Sequence, residues 1–240
     1  MDSIYKRVVI KVSGEALGDD KDRTILDKEK LAAVAKSIKA VHDLGVEVAV
    51  VVGAGNIWRG RLAESVGIDH STGDYMGMLG TIINALALQS AFEEKGLVVR
   101  VMSAINVPQV CEPYIRRKAI NHLDNGRVVI FAGGTGNPFF TTDTTATLRA
   151  LDIEADAIIM GKNGVDGVFD SDPRKNKNAK LLTKLTYLDV IERQLAVMDL
   201  TAVAMLSETD IKINVFNMDN PDALLDVVKG KAIGSIISRH

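Results

Sequence analysis

The chain has 240 residues, of which 47% are apolar and 25% are charged. This balance is typical of a globular protein and excludes a disordered, fibrous or disulfide-dense chain. The formal net charge is only −2, and the two short basic clusters (116–118 and 174–177) contain no aromatic residues, so we expect no nucleic-acid partner.

The cysteine content, the histidine spacing and the lack of long apolar segments indicate the cellular compartment and the lack of a metal site. The single cysteine, Cys111, has no partner for an internal disulfide, and the four histidines lack metal-ligand spacing. The N-terminal segment does not have the regions of a secretory signal, and no run of 18 apolar residues occurs. We therefore expect a cytoplasmic protein that has no membrane partner and no metal ligands of its own.

Short apolar runs alternate along the chain with longer segments of helical period. Most runs are apolar on both faces, which is typical of parallel strands covered by helices on both sides. The sequence therefore predicts an α/β fold, and the lack of a clear linker predicts one domain. The predicted strands cover residues 8–12, 46–52, 97–102, 128–131 and 157–160.

The segment from Tyr75 to Phe92 has apolar residues around nearly the whole circumference of its predicted helix. A helix of this kind must be covered all round. It is either a central helix of the chain's own core or a helix packed between its own domain and another subunit. Periodicity alone does not distinguish the two arrangements.

The first predicted strand ends in residues that suit a phosphate. In parallel sheets, ligands bind at the loops after the carboxyl ends of the strands. Lys11 and the following Ser13-Gly14 place a cation and unencumbered backbone N–H groups in such a loop. The alternative for Lys11 is a strand-end lysine that reaches into water.

The loop after the second strand, residues 53–60, begins like a dinucleotide-binding fingerprint. Trp58 stands where the third glycine is required, so that interpretation fails. Gly53 and Gly55 still allow close approach to the backbone. Arg59 offers a planar fork of donors to phosphate oxygens, unless it is an ordinary surface arginine.

A second well-known phosphate motif is also absent from the sequence. Gly161-Lys162 is followed by Asn163 and lacks the upstream glycine, so it is not a P-loop of the GxxxxGK[ST] type. Any ATP site in this chain must therefore be built differently.

The stretch from Gly133 to Thr145 combines glycines, threonines and Asp143, and we expect a helix to begin near Thr144. Asp143 could be the N-cap of this helix. Three free backbone amides and the helix dipole could instead form an anion site there. A carboxylate beside bound phosphates needs cations between them, which makes Lys11 and Lys162 its candidate partners.

Six motifs follow one another along nearly the whole chain: KVSGEAL, VVGAGNIWRG, GDYMGMLGTIINALALQ, TGNPFFTTDTTATLRA, EADAIIMGKNGVDGVFDSDP and VMDLTA. In order and spacing they resemble the motifs of the bacterial UMP kinases, a family of the amino acid kinase superfamily. The resemblance implies one three-layer α/β/α sandwich with a mainly parallel sheet over residues 1–240, assembled as a homohexamer. The N-terminal part would bind mainly UMP and the C-terminal part mainly ATP.

The resemblance implies transfer of the γ-phosphoryl group of ATP to UMP in pyrimidine biosynthesis, with Mg²⁺ held mainly by phosphates and UTP as an inhibitor. It assigns catalysis to Lys11, Asp143 and Lys162. The ATP-binding residues it implies are Lys11, Val12, Ser13, Gly14, Gly55, Arg59, Asn163, Phe169 and Asp172. The UMP-binding residues it implies are Ala54, Asp74, Thr135, Gly136, Asn137, Pro138, Phe139, Phe140, Thr141 and Thr142.

Two segments depart from the family's usual pattern. Ala54 replaces a glycine and adds only a methyl group, so we expect catalysis to survive the change. The segment 18–27 lacks the glycine pair that the family links to activation by GTP, so we expect a weak or absent GTP response.

Two other functions remain open at this point. One is another phosphotransferase of the superfamily, acting on carbamate, aspartate or acetylglutamate, although a small carboxylate would favour an arginine within the segment 137–142. The other is a non-catalytic nucleotide-binding regulator, although the presence of Lys11, Asp143 and Asp172 together argues against it. Because a phosphate acceptor has its second pKa near ~6, it needs no general base, and we expect Asp143 to organise lysines instead.

Overall fold

The computed structural model describes residues 2–19, 24–162, 164–220 and 222–240. The strands within these ranges are β1 (Arg7–Val12), β2 (Glu47–Val52), β3 (Val99–Ser103), β4 (Glu112–Pro113), β5 (Val128–Ala132), β6 (Ala157–Lys162), β7 (Val168–Phe169), β8 (Leu181–Leu182), β9 (Lys184–Thr186), β10 (Lys212–Asn217) and β11 (Ser235–Ser238). The α-helices are α1 (Lys28–His42), α2 (His70–Glu94), α3 (Arg116–Asp124), α4 (Thr142–Asp152), α5 (Tyr187–Glu192), α6 (Leu200–Leu206) and α7 (Ala223–Val228).

One sheet of nine strands forms the middle of the fold, in the order β4-β3-β5-β2-β1-β6-β10-β11-β9. Its neighbouring strands are parallel except for β10 and β11. Strands β7 and β8 pair with each other outside this sheet. Because β1 lies between β2 and β6, the loops that follow these strands emerge side by side at one edge.

Two apolar layers cover the sheet, one on each face. Successive residues of a strand point to opposite faces, so Val8 and Ile10 pack in the layer of α1, α2 and α7. Val9 packs in the layer that contains α3, α4, α5 and α6. The predicted α/β fold, a mainly parallel sheet with helices on both faces, is confirmed.

Helix α2 is buried on one side and exposed on the other. Met78, Ile82 and Leu88 are buried against the chain's own core, whereas Tyr75, Leu79 and Ile83 are 44%, 49% and 50% exposed. The exposed residues are four apart and therefore form one stripe, named here the α2 stripe. The chain itself thus supplies only part of the cover that the sequence requires.

Among the described residues, α2 is also the one helix long and apolar enough to cross a bilayer by length and composition. Half of its most apolar 18-residue window is buried inside the fold. Its place in the core accounts for the apolar residues of the buried half.

Candidate active site

Lys11 lies near the end of the central strand β1, and its side chain turns toward the start of helix α4. Its Nζ lies 2.5 Å from Oδ1 of Asp143, and the two side chains are only 23% and 18% exposed. The predicted pairing of Asp143 with Lys11 is therefore present, and Lys11 does not simply extend into water. A partly buried pair of this kind is screened by solvent less than a surface pair.

The loop after β1, which contains Ser13 and Gly14 and is named here the first glycine loop, is in direct contact with the loop of residues 53–60, the second glycine loop. The backbone N–H of Gly53 donates to the carbonyl oxygen of Val12 at 3.0 Å. Gly14 begins a short 3₁₀ helix (Gly14–Leu17), which follows Ser13. A Cβ added to Gly14 would lie 2.7 Å from the carbonyl oxygen of Gly53, so a larger residue at this position would push the two loops apart.

Arg59 joins these two loops from the side. Its Nη2 lies 2.8 Å from Oε1 of Glu15, and its Nε donates to the carbonyl oxygen of Gly55 at 3.3 Å. Arg59 is therefore held by the loops rather than extended alone into solvent, and its guanidinium group stands beside them.

Thr141, and not Asp143, is the N-cap of α4, which begins at Thr142. The Thr141 hydroxyl accepts hydrogen bonds from the backbone N–H groups of Asp143 and Thr144 at 3.1 and 3.2 Å. The capping alternative for Asp143 is therefore wrong. The expectation of three free amides is also wrong, because the Thr141 hydroxyl engages two of them. Asp143 lies in the first turn, where the helix dipole favours a carboxylate.

Lys162 ends β6 and contacts the loop before α6. Its Nζ donates to the carbonyl oxygens of Ala196 and Val197 at 3.3 and 3.1 Å. Burial lowers the pKa of Lys162, the nearby Lys11 lowers it further, and Asp143 opposes both effects. Lys162 therefore belongs to the same electrostatic cluster as Lys11 and Asp143 but forms its contacts with the backbone.

A cavity of about 310 Å³ opens between the second loop, α2 and the start of α4. This volume is in the range of small-molecule sites. Predicted UMP-binding residues that line it are Ala54, Asp74, Thr135, Phe140, Thr141 and Thr142, together with the predicted ATP-binding Gly55. Gly136, Asn137, Pro138 and Phe139 are not among the lining residues, although they belong to the same loop.

Asp74 holds the loop of residues 135–141 in its present arrangement. Its Oδ2 accepts the backbone N–H of Phe139 at 2.7 Å and lies 3.3 Å from Nε2 of His70. The rings of His70 and Phe139 stack with their centroids 5.0 Å apart. Phe139 has φ +71° and is largely exposed, so this hydrogen bond and this stacking hold a backbone conformation that non-glycine residues rarely adopt.

The methyl group of Ala54 fits because its neighbour on α2 is a glycine. A Cβ added to Gly80 would lie 2.9 Å from the Cβ of Ala54, which is closer than two carbon atoms can pack. The loop and the helix are therefore complementary at this point.

The predicted adenine and ribose residues lie in the C-terminal half. Phe169 ends β7, and neither it nor Asp172 lines the cavity described above. Oδ1 of Asp172 accepts the backbone N–H of Arg174 at 3.0 Å and so shapes its own turn. Asn163 and residues 20–23 of the segment 18–27 lie outside the described residues.

Sequence reasoning missed several polar residues that organise this edge. Asp199 caps α6 and accepts hydrogen bonds from the hydroxyls of Thr141 and Thr144, which links α4 to the loop that contacts Lys162. Thr81 accepts the N–H of Gly133 at 2.8 Å. Polar residues inside an apolar helix such as α2 were the signal that could have revealed Thr81.

No group of three potential metal-ligating side chains occurs in the described residues. Asp143, the carboxylate beside Lys11, is already paired with that lysine.

Comparisons with known proteins agree with this fold. Residues 6–217 match the model of the amino acid kinase family. The chain is 52% identical to a uridylate kinase of Limosilactobacillus reuteri (strain DSM 20016), with 97% of each chain covered. A second uridylate kinase of Limosilactobacillus reuteri is 51% identical.

Solved structures give the same result. The structure of UMP kinase from Bacillus anthracis has a TM-score of 0.95 and 45% identity, covering 98% of this chain and 96% of its own. UMP kinase from Ureaplasma parvum has a TM-score of 0.92 and 40% identity, with coverage of 97% and 98%. The chain therefore belongs to the amino acid kinase family.

Proposed function

We propose that this chain transfers the γ-phosphoryl group of ATP to UMP, which gives UDP and ADP. The observation that carries the proposal is the Lys11–Asp143 ion pair beside the cavity, since Thr142, the neighbour of Asp143, lines that cavity. The uridylate kinases and UMP kinases found by comparison supply the choice of acceptor.

Phosphoryl transfer requires mainly that two polyanions be positioned and that charge on the transferred group be neutralised. Lys11 and Lys162 supply positive charge at one end of the site, and Asp143 keeps Lys11 in place. Arg59 and the backbone of Ser13, Gly14 and Gly55 bind the phosphates of ATP. No general base is needed, because the phosphate oxygen of UMP is already ionised at neutral pH.

Mg²⁺ enters as part of the substrate, Mg·ATP, and neutralises charge on the phosphates that hold it. Because Asp143 is paired with Lys11, it does not serve as a metal ligand in this proposal. Phe169, Asp172 and Asn163 hold adenine and ribose in this proposal.

The acceptor is UMP, held within the cavity and by the loop around it. Ala54, Asp74 and Thr142 contact the nucleotide, with the rest of the segment 135–141 closing over it. Asp74 suits the ribose hydroxyls, because a carboxylate can accept from several donors while its Oδ2 accepts the N–H of Phe139.

A coupled ADP-release assay with Mg·ATP tests this proposal against the rival functions. UMP should support turnover, and carbamate, aspartate and acetylglutamate should not. The described residues at 137–142 include no arginine for a small carboxylate. Absence of ADP release with every acceptor would favour a nucleotide-binding regulator instead.

The chain also acts as a homohexamer in this proposal, and its exposed α2 stripe supports a subunit contact. UTP, the triphosphate of the same nucleoside, inhibits the enzyme in this proposal, and GTP has little effect on its activity. A cytoplasmic location, a single domain and the absence of nucleic-acid and membrane partners stay predictions.

A further inference from the structure

A pair of asparagine side chains joins helix α2 to the second glycine loop. Asn84, on α2, is 0% exposed, and its Nδ2 donates to the carbonyl oxygen of Gly53 at 2.7 Å and to Oδ1 of Asn56 at 2.8 Å. In return, Nδ2 of Asn56 donates to Oδ1 of Asn84 at 3.1 Å. Both N–H groups and the oxygen of the Asn84 amide thus have partners.

The same pair reaches two further segments. Nδ2 of Asn56 also donates to the carbonyl oxygen of Ile25 at 2.7 Å. A Cβ added to Gly14 would lie 2.5 Å from Oδ1 of Asn56, so the side chain of Asn56 touches the first glycine loop. The two amides therefore connect α2, both glycine loops and the chain before α1.

We propose that Asn56 and Asn84 are positioning residues that keep the two glycine loops in the arrangement that binds the phosphates of ATP. This inference rests on the proposed function. Asn84 is fully buried, so it acts through Gly53 and Asn56 and not by touching a nucleotide. Truncating Asn84 removes the bonds to Gly53 and Asn56, and truncating Asn56 removes both of its bonds to Asn84, so either change leaves buried polar groups unpaired.

Loss of the asparagine pair should weaken the binding of Mg·ATP rather than slow the phosphoryl transfer step. Without the pair, the loops spend part of the time in arrangements where their N–H groups do not converge, and the apparent affinity falls by the competent fraction. A competent fraction of roughly one tenth would raise the KM for Mg·ATP about tenfold. At saturating Mg·ATP the loops are held again, so kcat should fall less than about threefold.

Steady-state kinetics of the full chain and of Asn56→Ala, Asn84→Ala and the double variant test the proposal. The matched control is Gln89→Ala on the same helix, because Gln89 is an amide whose Nε2 donates to Glu93 and to neither loop. Because the two amides share their bonds, the KM of the double variant should lie within about twofold of the worse single variant.

Asn56 is only half-buried and lies on a loop, so Asn56→Ala should fold even where Asn84→Ala does not. A KM for Mg·ATP within about twofold of wild type in Asn56→Ala, or a double variant with fully multiplied effects, would overturn the proposal. Calorimetry with a non-hydrolysable ATP analogue tests the positioning role of the two asparagines separately from the proposed function. An inactive wild type would refute UMP phosphorylation, whereas equal affinities in wild type and variants would refute positioning.

Discussion

Asp143 contributes a charge to the site, whereas its neighbour Thr141 caps the helix. We predict that Asp143→Asn lowers kcat by roughly two or more powers of ten, equal to about 3 kcal/mol of transition-state stabilisation, because Lys11 loses the carboxylate that aligns it. Folding and nucleotide affinity should change little. Steady-state kinetics with thermal unfolding measures both, and near-normal turnover would leave Asp143 with a structural role alone.

Lys162 gives a prediction about pH. Its cationic form is present below its pKa and is lost as the pH rises through that value. Since burial and Lys11 lower this pKa from the ordinary value of 10.5, kcat should begin to fall at a lower pH than for an exposed lysine.

The matched variant for this pH profile is Lys162→Arg, which keeps the charge at every pH used because the arginine pKa lies above about 12. In a kcat profile measured from about pH 7 to 10.5, the alkaline limb of this variant should lie at higher pH than that of the wild type. Identical alkaline limbs in wild type and variant would exclude Lys162 from the transition state.

At the residue scale, the sequence led correctly to the Lys11–Asp143 contact, because a carboxylate beside bound phosphates needs cationic partners. It could not tell Thr141 from Asp143 as the N-cap, because both residue types cap helices well. Asn84, a polar residue inside the apolar helix α2, carried the same signal as Thr81, but its partners Gly53 and Asn56 are brought near only by the fold.

Helix α2 and the second glycine loop approach each other closely at Gly80 and Ala54. Alanine is normally better than glycine inside a helix by about 1 kcal/mol. We nevertheless predict that Gly80→Ala lowers activity, because the new Cβ would lie 2.9 Å from that of Ala54 and push the loop aside.

The compensating change is Ala54→Gly, which removes the atom that the new methyl group would meet. The double variant Ala54→Gly with Gly80→Ala should recover most of the lost kcat/KM in the same assay. A Gly80→Ala variant as active as wild type, or a double variant no better than the single one, would show that this contact does not set the loop's position.

The predicted strands correspond to β1, β2, β3, β5 and β6, because their runs are mostly apolar. Strand β10 was missed, since Lys212 and Asn214 break its pattern; yet Asn214 is buried, and its Nδ2 donates to the Tyr5 hydroxyl at 3.0 Å. Strands of two or three residues such as β4 and β9 are too short for any periodicity and form only by pairing at the edges of the sheet.

At the scale of the whole molecule, the α2 stripe should lie in a subunit contact. We predict that Leu79→Asp dissociates the assembly into smaller species, because it would bury an unpaired carboxylate in an apolar interface. Light scattering at micromolar concentration measures the mass. Leu188→Asp is the control, since Leu188 is similarly exposed but lies on α5 in the opposite layer.

A monomeric wild type, or a Leu79→Asp variant of unchanged mass, would remove the stripe from the interface. Sequence periodicity showed that α2 needed cover all round but could not say which neighbour supplies it. That information depends on which face the chain's own core leaves exposed.

The most direct test of the whole account compares kcat/KM for UMP and CMP with Mg·ATP as donor. Uracil and cytosine exchange an acceptor for a donor at one edge, so a site built for uracil leaves a buried polar group unpaired with cytosine. We predict a preference for UMP of several powers of ten, about the size of other such mismatches. Comparable kcat/KM values for the two nucleotides, or no phosphorylation of UMP, would contradict the account.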